Sequence, residues 1–320
     1  MLAKTAPLIH QVPTTGGVLK RIKYFARGIA FAPYTKEWFQ ILQAPMLAIA
    51  IQNHPCLFHK LQRPYLNRTL NTRRRLETLK QHYGFVATHL PMSLIKEIYA
   101  TSGVLLATIP LEGVGPMGLR LGCSKKEKEG EFSIVLVNED LGAELFTLSF
   151  SVSRCEVDCK EVFIGGLQGS KSVNKDLPIS ITRGWHGLRP KALLVFALQE
   201  LAASWEITSL RAVSDGMHIY RHFDKRRTLQ ASYDKFWIEC GGELAGDGMF
   251  DLPVSFVPRD ISSIRINKRK MYRRRYVMLA EIAAQIRHVM PCPAGPRGPD
   301  QWLNTALEPT ATAVSVLAVG

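Results

Sequence analysis

Apolar residues recur at every second position across residues 118–167, and this spacing restricts the fold more than any other feature. Within residues 143–154, bulky apolar side chains alternate with small hydroxyl side chains in the order Phe146, Thr147, Leu148, Ser149, Phe150, Ser151 and Val152. Neighbouring side chains of a strand point to opposite faces, so this segment has one apolar face. Segments 118–123, 131–138 and 161–167 are also strand candidates. The pattern predicts an antiparallel meander with one buried face.

Helical spacing follows the predicted meander. Residues 190–205 begin with a proline, which suits the first helical position, and their apolar side chains recur every three or four residues. Further elements are predicted as a strand at 209–213, a short helix at 232–240, a strand at 250–257 and a long basic helix at 268–288. Short connections make consecutive strands neighbours, so we expect antiparallel pairing through the meander. We expect the strand at 209–213 to join the same sheet after the helix crosses it.

These elements predict an α+β fold with four parts. Residues 1–18 form a flexible tail, residues 19–101 a helical region, residues 102–290 the core, and residues 291–320 a disordered tail. The core is expected to hold a mixed, mainly antiparallel sheet flanked by helices and followed by the long basic helix.

Positive charge is concentrated in two segments. The chain carries a net charge of +14, of which residues 60–80 contribute +6 and residues 258–288 contribute +7. Such charge favours an anionic partner, whether CoA phosphates, anionic lipid or a protein; solvated helix faces are the alternative. The predicted anion-binding surface consists of Lys268, Lys270, Arg273, Arg274 and Arg275. No helix-turn-helix, zinc-finger or RNP pattern accompanies the charge, so sequence-specific DNA binding is not favoured.

Membrane, metal and disulfide signals are weak in the sequence. No apolar run approaches the ~20 residues that span a bilayer, and the first residues lack the apolar core of a signal peptide. His218 and His222 stand four residues apart without an acidic third ligand at motif spacing, so no metal site is predicted. The six cysteines are expected to be reduced thiols. We therefore expect a cytoplasmic protein, and peripheral association with the inner membrane is the alternative.

Several motifs follow one another between about residues 162 and 290. They read VFIGGLQGS, HGLRPKALLVFALQELA, LRAVSDGMHIYR, YDKFWIECGGE and RKMYRRRYVMLAEIAAQI. In this order and spacing they resemble the VirK/YbjX family of bacterial proteins, which is built around one domain of unknown function. The resemblance covers most of residues 35–290. It implies a role in virulence, envelope stress or resistance to antimicrobial peptides, with unsettled chemistry.

A second resemblance concerns the fold of the core. The order of meander, glycine-containing loop, helix, strand and short helix is similar to the Gcn5-related acyl-CoA N-acyltransferases. In that fold the loop before the central helix binds the CoA pyrophosphate. The resemblance implies that Gly187 lies at the phosphates of acyl-CoA and that Tyr233 protonates the departing thiolate. Because the loop departs from the usual glycine pattern, Arg183, Arg189 and Lys191 would supply the charge.

Two side chains are candidate catalytic residues, and each has a structural alternative. His186 lies at the predicted junction of loop and helix, where backbone donors and cations favour anions, although it could instead cap the helix or pack against Trp185. Tyr233 could instead pack its ring in the core. The general base stays open among Glu139, Asp140, Glu144, Glu161 and Asp215.

Three functions stay open at this point. The first is an acyltransferase-like enzyme that supports envelope integrity or virulence, with acyl-CoA as the candidate cofactor. It requires a cavity between two splayed strands beside Gly187. The second is a non-enzymatic accessory factor that docks on an anionic membrane or a partner protein, and it predicts a filled cleft. The third is nucleic-acid binding that weakens as salt rises.

Overall fold

The computed structural model describes residues 15–156, 159–170, 176–222 and 232–290. The predicted tail at 291–320 lies outside the described residues, as does most of the predicted tail at 1–18. The first described helix begins at Thr15, so the end of that predicted tail is helical.

Helices make up the described part of the chain before the sheet. The α-helices are α1 (Thr15–Ala30), α2 (Ala32–Ile41), α3 (Ala48–Asn53), α4 (Thr72–His89) and α5 (Met92–Ile98), and two 3₁₀ helices cover Pro45–Leu47 and Pro55–Gln62. Asn71 caps α4, because its side chain accepts a hydrogen bond from the backbone N–H of Arg74. Helix α4 then packs on the sheet against β4.

One sheet of eight strands forms the centre of the described structure. Its strands are β1 (Val104–Ile109), β2 (Met117–Cys123), β3 (Phe132–Asn138), β4 (Ala143–Glu156), β5 (Cys159–Gly169), β6 (Ser209–Ala212), β7 (Glu243–Leu244) and β8 (Phe250–Leu252). Their order is β1-β2-β3-β4-β5-β6-β8-β7. The β5–β6 pair is parallel and every other pair is antiparallel. The predicted meander, and its junction with the strand at 209–213, are confirmed.

The alternation in β4 produces the expected buried layer. Phe150 lies opposite Phe132 and Leu148 lies opposite Ile134, and all four side chains are fully buried. Strand β1 was not predicted. Its register shifts between Leu105 and Ala107, so its buried positions do not follow a period of two.

Helices also cover the C-terminal half of the core. They are α6 (Asp176–Gly184), α7 (Pro190–Ser204), α8 (Tyr233–Glu239) and α9 (Ile266–Val289), with 3₁₀ helices at Ile219–His222 and Ile261–Ser263. Helix α7 connects the parallel strands β5 and β6, is apolar almost all round, and packs between the sheet and α9. The predicted α+β class and the long basic C-terminal helix are therefore confirmed.

Two further sequence predictions can be compared with the structure. Within the part of the chain that the structure describes, no helix combines the length and apolar character needed to cross a bilayer. The prediction that all the cysteines are reduced is wrong for Cys159, at the start of β5, which is disulfide-bonded. Spacing alone does not report oxidation. Cys56, Cys123 and Cys240 are free thiols.

Candidate functional site

The loop between α6 and α7 makes a sharp turn. His186 and Gly187 have positive φ angles of 52° and 77°. The backbone N–H of Gly187 donates to the Thr182 carbonyl over 2.7 Å. A β-carbon at position 187 would lie 2.7 Å from Nη2 of Arg275. Glycine therefore fits this position for both its backbone angle and its lack of a side chain.

Arg275 on α9 fixes this loop. Its Nε and Nη2 atoms both donate to the carbonyl oxygen of His186, over 3.0 and 2.7 Å, and its guanidinium lies over the Tyr272 ring. The other members of the predicted anion-binding surface are exposed: Lys268, Lys270, Arg273 and Arg274. Arg275 thus differs from the other four residues, because its guanidinium bonds to a loop carbonyl and their side chains are exposed. Basic residues this close in sequence cannot all lie on one face of a helix.

A cavity of about 640 Å³ opens beside this loop, between α7, the end of α8, the segment after β8, and α9. We call it the α7–α9 cavity. Three arginines line it, namely Arg189, Arg259 and Arg275. Apolar and aromatic residues line it as well, among them Val195, Phe196, Phe256, Tyr272, Tyr276 and Leu279. Glu239 lines it too and pairs with Arg189, so the cavity combines this ion pair and two further arginines with an apolar wall.

The structure separates the predicted phosphate ligands. Gly187 and Arg189 line the α7–α9 cavity, whereas Arg183 and Lys191 do not. Arg183 is exposed, and Arg189 forms an ion pair with Glu239 at the end of α8. Burial, together with the charge of Arg189, lowers the pKa of Lys191.

His186 does not line the cavity with its side chain. Burial, followed by the charges of Arg274 and Arg275, lowers its pKa. Arg189, and not His186, stands at the N-cap position of α7. A catalytic role for the His186 side chain remains a prediction. The structure shows that the backbone carbonyl of His186 accepts a hydrogen bond from Arg275.

Strands β5 and β6 diverge after a short parallel pairing. The last bond between them runs from the N–H of Val213 to the carbonyl of Ile164 over 2.9 Å, and β5 continues beyond it to Gly169. Past this point the N–H of Leu167 donates to the Tyr233 hydroxyl over 3.2 Å. The Trp237 indole donates to the Val213 carbonyl over 2.9 Å. The rings of Tyr233 and Trp237 therefore fill the space between the diverging strands, so the described residues do not show there the open cavity that acyl transfer requires.

Tyr233 is buried at the start of α8 and is not among the residues that line the α7–α9 cavity. Asp215 fixes its position: one carboxylate oxygen accepts from the Tyr233 N–H over 2.8 Å, and the other accepts from the Ser232 hydroxyl over 2.6 Å. Among the candidate bases, Asp215 is next to Tyr233, whereas Glu139 pairs with Arg120 and Glu144 pairs with Lys125.

Sequence reasoning missed a buried carboxyl beside Tyr233. Glu129 is 1% exposed and accepts a hydrogen bond from the Gln168 amide over 2.8 Å. Its other oxygen lies 4.0 Å from Nε2 of His218, whose ring stacks on the Tyr233 ring. We call Glu129, Gln168, His218 and Tyr233 the Glu129 cluster. A β-carbon at Gly166 would lie 2.2 Å from the Glu129 carboxylate, so the Gly165-Gly166 pair was the signal available in the sequence.

The Glu129 cluster holds groups suited to moving protons. Burial raises the pKa of Glu129 to about 7 and lowers the pKa of His218 to about 4. Burial also raises the pKa of the Tyr233 phenol, which therefore stays protonated. A carboxyl that titrates near neutral pH can accept or donate a proton under working conditions.

The raised pKa of Glu129 predicts a pH-dependent stability. Its protonated form is favoured in the folded state, so this stabilisation is lost as pH rises from the usual value of 4.5 through about 7. The contribution of His218 to folding stability has the opposite pH dependence, and it is lost as pH falls from 6.5 through about 4. Glu129→Gln cannot ionise, so its stability relative to the unsubstituted protein should rise by up to about 3 kcal/mol between about pH 5 and pH 8. Urea unfolding at both pH values measures this difference, and a constant difference would contradict it.

Metal ligands do not gather in this region. Among the residues described, no three His, Cys, Asp or Glu side chains lie close enough together to hold a metal ion.

Comparison with known proteins decides the family. A family model described as "Protein of unknown function (DUF535)" matches residues 15–288. The chain belongs to the DUF535 family. It is 32% identical to the uncharacterized protein YbjX of Escherichia coli K12 over 83% of this chain and 82% of that protein. An uncharacterized protein of Haemophilus influenzae is 30% identical over 50% of this chain and 53% of its own length.

The predicted VirK/YbjX resemblance is therefore confirmed for this DUF535 protein. No solved structure matches the chain. Its relatives are themselves described as uncharacterized, so a function must be argued from the cavity and the Glu129 cluster.

Proposed function

We propose that this DUF535 protein is acyltransferase-like and binds a phosphate-bearing acyl ligand, such as an acyl-CoA, in the α7–α9 cavity. The observation that carries the proposal is the cavity's mixed lining of three arginines and an apolar, aromatic wall. Its volume of about 640 Å³ is in the usual range for small-molecule sites.

The phosphate end of the ligand would bind at the loop before α7. Arginine guanidiniums present several donors in a planar fork that matches phosphate oxygens. Arg275 is already held by the His186 carbonyl, so less side-chain freedom would be lost when it meets an anion. The backbone N–H groups that follow Pro190 in α7, and the dipole of this helix, add to the attraction.

The acyl end would bind against the wall of α7 and α9. Phe196 and Phe256 pack edge to face there, and Tyr276 packs on Phe256. Each methylene group buried on such a wall contributes about 0.8 kcal/mol. An amphiphile therefore gains from both parts of the cavity, whereas a bare phosphate or a bare fatty acid gains from one.

Acyl transfer is the reaction that we propose for this site. The acceptor amine attacks the thioester carbonyl, the carbon–sulfur bond breaks, the leaving thiolate takes the phenol proton of Tyr233, and the proton that the amine loses restores the phenol. Tyr233 is the proposed proton donor because its phenol stays protonated and lies where β5 and β6 diverge. Since Tyr233 does not line the α7–α9 cavity, the thioester must enter the space that its ring now fills.

An accessory role without catalysis is the second candidate. The observation that favours it is the filled space between β5 and β6, which leaves Leu167 bonded to the Tyr233 hydroxyl. The exposed cations of α9 would then dock on an anionic surface. In either role the protein would bind phosphate-bearing acyl compounds. Both roles are therefore consistent with the envelope or virulence function that the family resemblance implies.

A thermal-shift panel tests the proposed function. The full chain is melted with a long-chain acyl-CoA, free CoA, a fatty acid, an anionic phospholipid and duplex DNA. A ligand that binds only the folded state raises its stability, by about 2.7 kcal/mol at one hundred times its Kd. We expect the acyl-CoA to raise Tm more than free CoA or the fatty acid does. A larger shift with phospholipid favours the accessory role, and a shift with DNA alone would overturn both.

Two arginines near the loop form a matched pair for this test. Both Arg189 and Arg183 are exposed, but only Arg189 lines the α7–α9 cavity. The Arg189→Ala variant loses one charge-assisted hydrogen bond, so its affinity for acyl-CoA should be about tenfold lower than that of the unsubstituted protein. Arg183→Ala should bind as the unsubstituted protein does. Equal loss in both variants, measured by calorimetric titration, would mean that general charge and not the cavity attracts the ligand.

A further inference from the structure

The outer face of α1 is apolar although it faces solvent. Ile22 is 57% exposed and Ile29 is 71% exposed, and their spacing of seven positions places both on one side of the helix. Ala26 lies between them on the same side and is exposed too. Scattered apolar residues on a surface are ordinary, whereas an aligned strip is typical of a binding face.

Basic residues stand beside this apolar strip. Lys23 and Arg27 are exposed on α1, one turn apart. Arg75 of α4 lies close enough to Arg27 for that charge to lower its pKa, in addition to the larger effect of burial. A third cation, Arg75, therefore lies near Arg27.

Acidic residues are missing from this part of the chain. The first Asp or Glu in the sequence is Glu37, so α1 contains none. The opposite face of α1 is already used, because Tyr24 and Gly28 are buried and the helix contacts α2 and the Pro55–Gln62 turn. Helix α1 is thus anchored on one side and presents an apolar strip with Lys23 and Arg27 of the same helix beside it.

We propose that α1 docks the protein on the surface of an anionic lipid bilayer. Ile22, Ala26 and Ile29 enter the interface between headgroups and acyl chains, and Lys23 and Arg27 bind lipid phosphates. An amphipathic helix with this arrangement lies in the plane of the interface, and each nearby cation strengthens its attraction to anionic lipid. The occupant is a membrane because an apolar strip beside Lys23 and Arg27, on a helix without Asp or Glu, complements an anionic bilayer. The proposal does not depend on the α7–α9 cavity.

Vesicle sedimentation of the full chain tests the proposal. The vesicles consist of phosphatidylcholine with or without phosphatidylglycerol. The Ile22→Ser/Ile29→Ser variant removes the apolar strip. The Ile179→Ser/Ile266→Ser variant is its control, because those isoleucines are 58% and 81% exposed but lie on α6 and α9. All four positions are exposed, so thermal unfolding should change little in either variant and is measured alongside.

We expect the unsubstituted protein to sediment with the anionic vesicles and to be released as salt rises. The α1 variant should bind at least about tenfold more weakly, and the control should bind as the unsubstituted protein does. Equal binding by both variants, or loss in the control alone, would overturn the proposal and assign the membrane contact to another surface. A dimer that dissociates in the α1 variant, seen by light scattering, would instead make this face a contact between copies of the chain.

Discussion

Replacing Lys60 with methionine should destabilise the folded protein by about 3–5 kcal/mol. The Lys60 ammonium lies 2.7 Å from the Glu131 carboxylate, and the two side chains are only 3% and 1% exposed. Lys60 also donates to the Gly130 carbonyl, and the Tyr83 hydroxyl donates to Glu131. Without the lysine, Glu131 becomes a buried carboxylate whose charge is not compensated, because the remaining phenol is neutral. Urea unfolding near neutral pH measures the loss.

Two controls separate this effect from a general loss of charge. Adding Glu131→Gln to Lys60→Met removes both charges and should restore most of the stability, since replacing a whole buried ion pair is often close to neutral. Lys125→Met breaks the exposed pair with Glu144 and should cost less than about 1 kcal/mol. A Lys60→Met protein within about 1 kcal/mol of the unsubstituted protein would show that the pair does not hold the Pro55–Gln62 turn on the sheet.

Replacing Tyr233 with phenylalanine should lower the rate of acyl transfer by about 10²–10⁴-fold, the usual contribution of a positioned acid. The substitution removes one hydroxyl, so acyl-CoA binding in the cavity should persist. Release of the free CoA thiol, with an amine present as acceptor, measures turnover. Calorimetric titration of the same acyl-CoA measures binding.

The same substitution also leaves the N–H of Leu167 without its partner, so unfolding must be followed as well. An unpaired buried donor costs about 1–3 kcal/mol, which should leave the fold intact. A variant that turns over as fast as the unsubstituted protein would remove Tyr233 from the mechanism. An unsubstituted protein that releases no thiol would leave the accessory role as the remaining function.

The sheet could be predicted largely from spacing because its central strands bury one face. In β4 the alternation of Phe150 and its neighbours fixes both the strand and its orientation. Strand β1 could not be predicted in this way, because its irregular register between Leu105 and Ala107 breaks the alternation of buried and exposed side chains. Strand β7 covers only Glu243–Leu244, which is too short to give a period.

The candidate site was less predictable because it depends on contacts between distant segments. Gly187 and Arg189 could be placed from their position before α7, but spacing does not say which cations face the cavity. The sequence does not distinguish Arg275 from the neighbouring surface arginines, because its bond to the His186 carbonyl joins segments that are far apart in the chain. Glu129 stands in a densely charged turn, and only the folded chain brings it beside His218.

Photo-crosslinking tests most directly whether the α7–α9 cavity binds a phosphate-bearing acyl ligand. An acyl-CoA with a diazirine at the end of its acyl chain is irradiated with the full chain, and the labelled peptides are identified by mass spectrometry. The proposed function predicts label on α7, on residues 253–259 or on α9 around Tyr272 and Tyr276, which all line the cavity. Unlabelled acyl-CoA should compete for it, and Arg189→Ala should reduce it. Label spread over other surfaces, or label that acyl-CoA does not displace, would contradict the account.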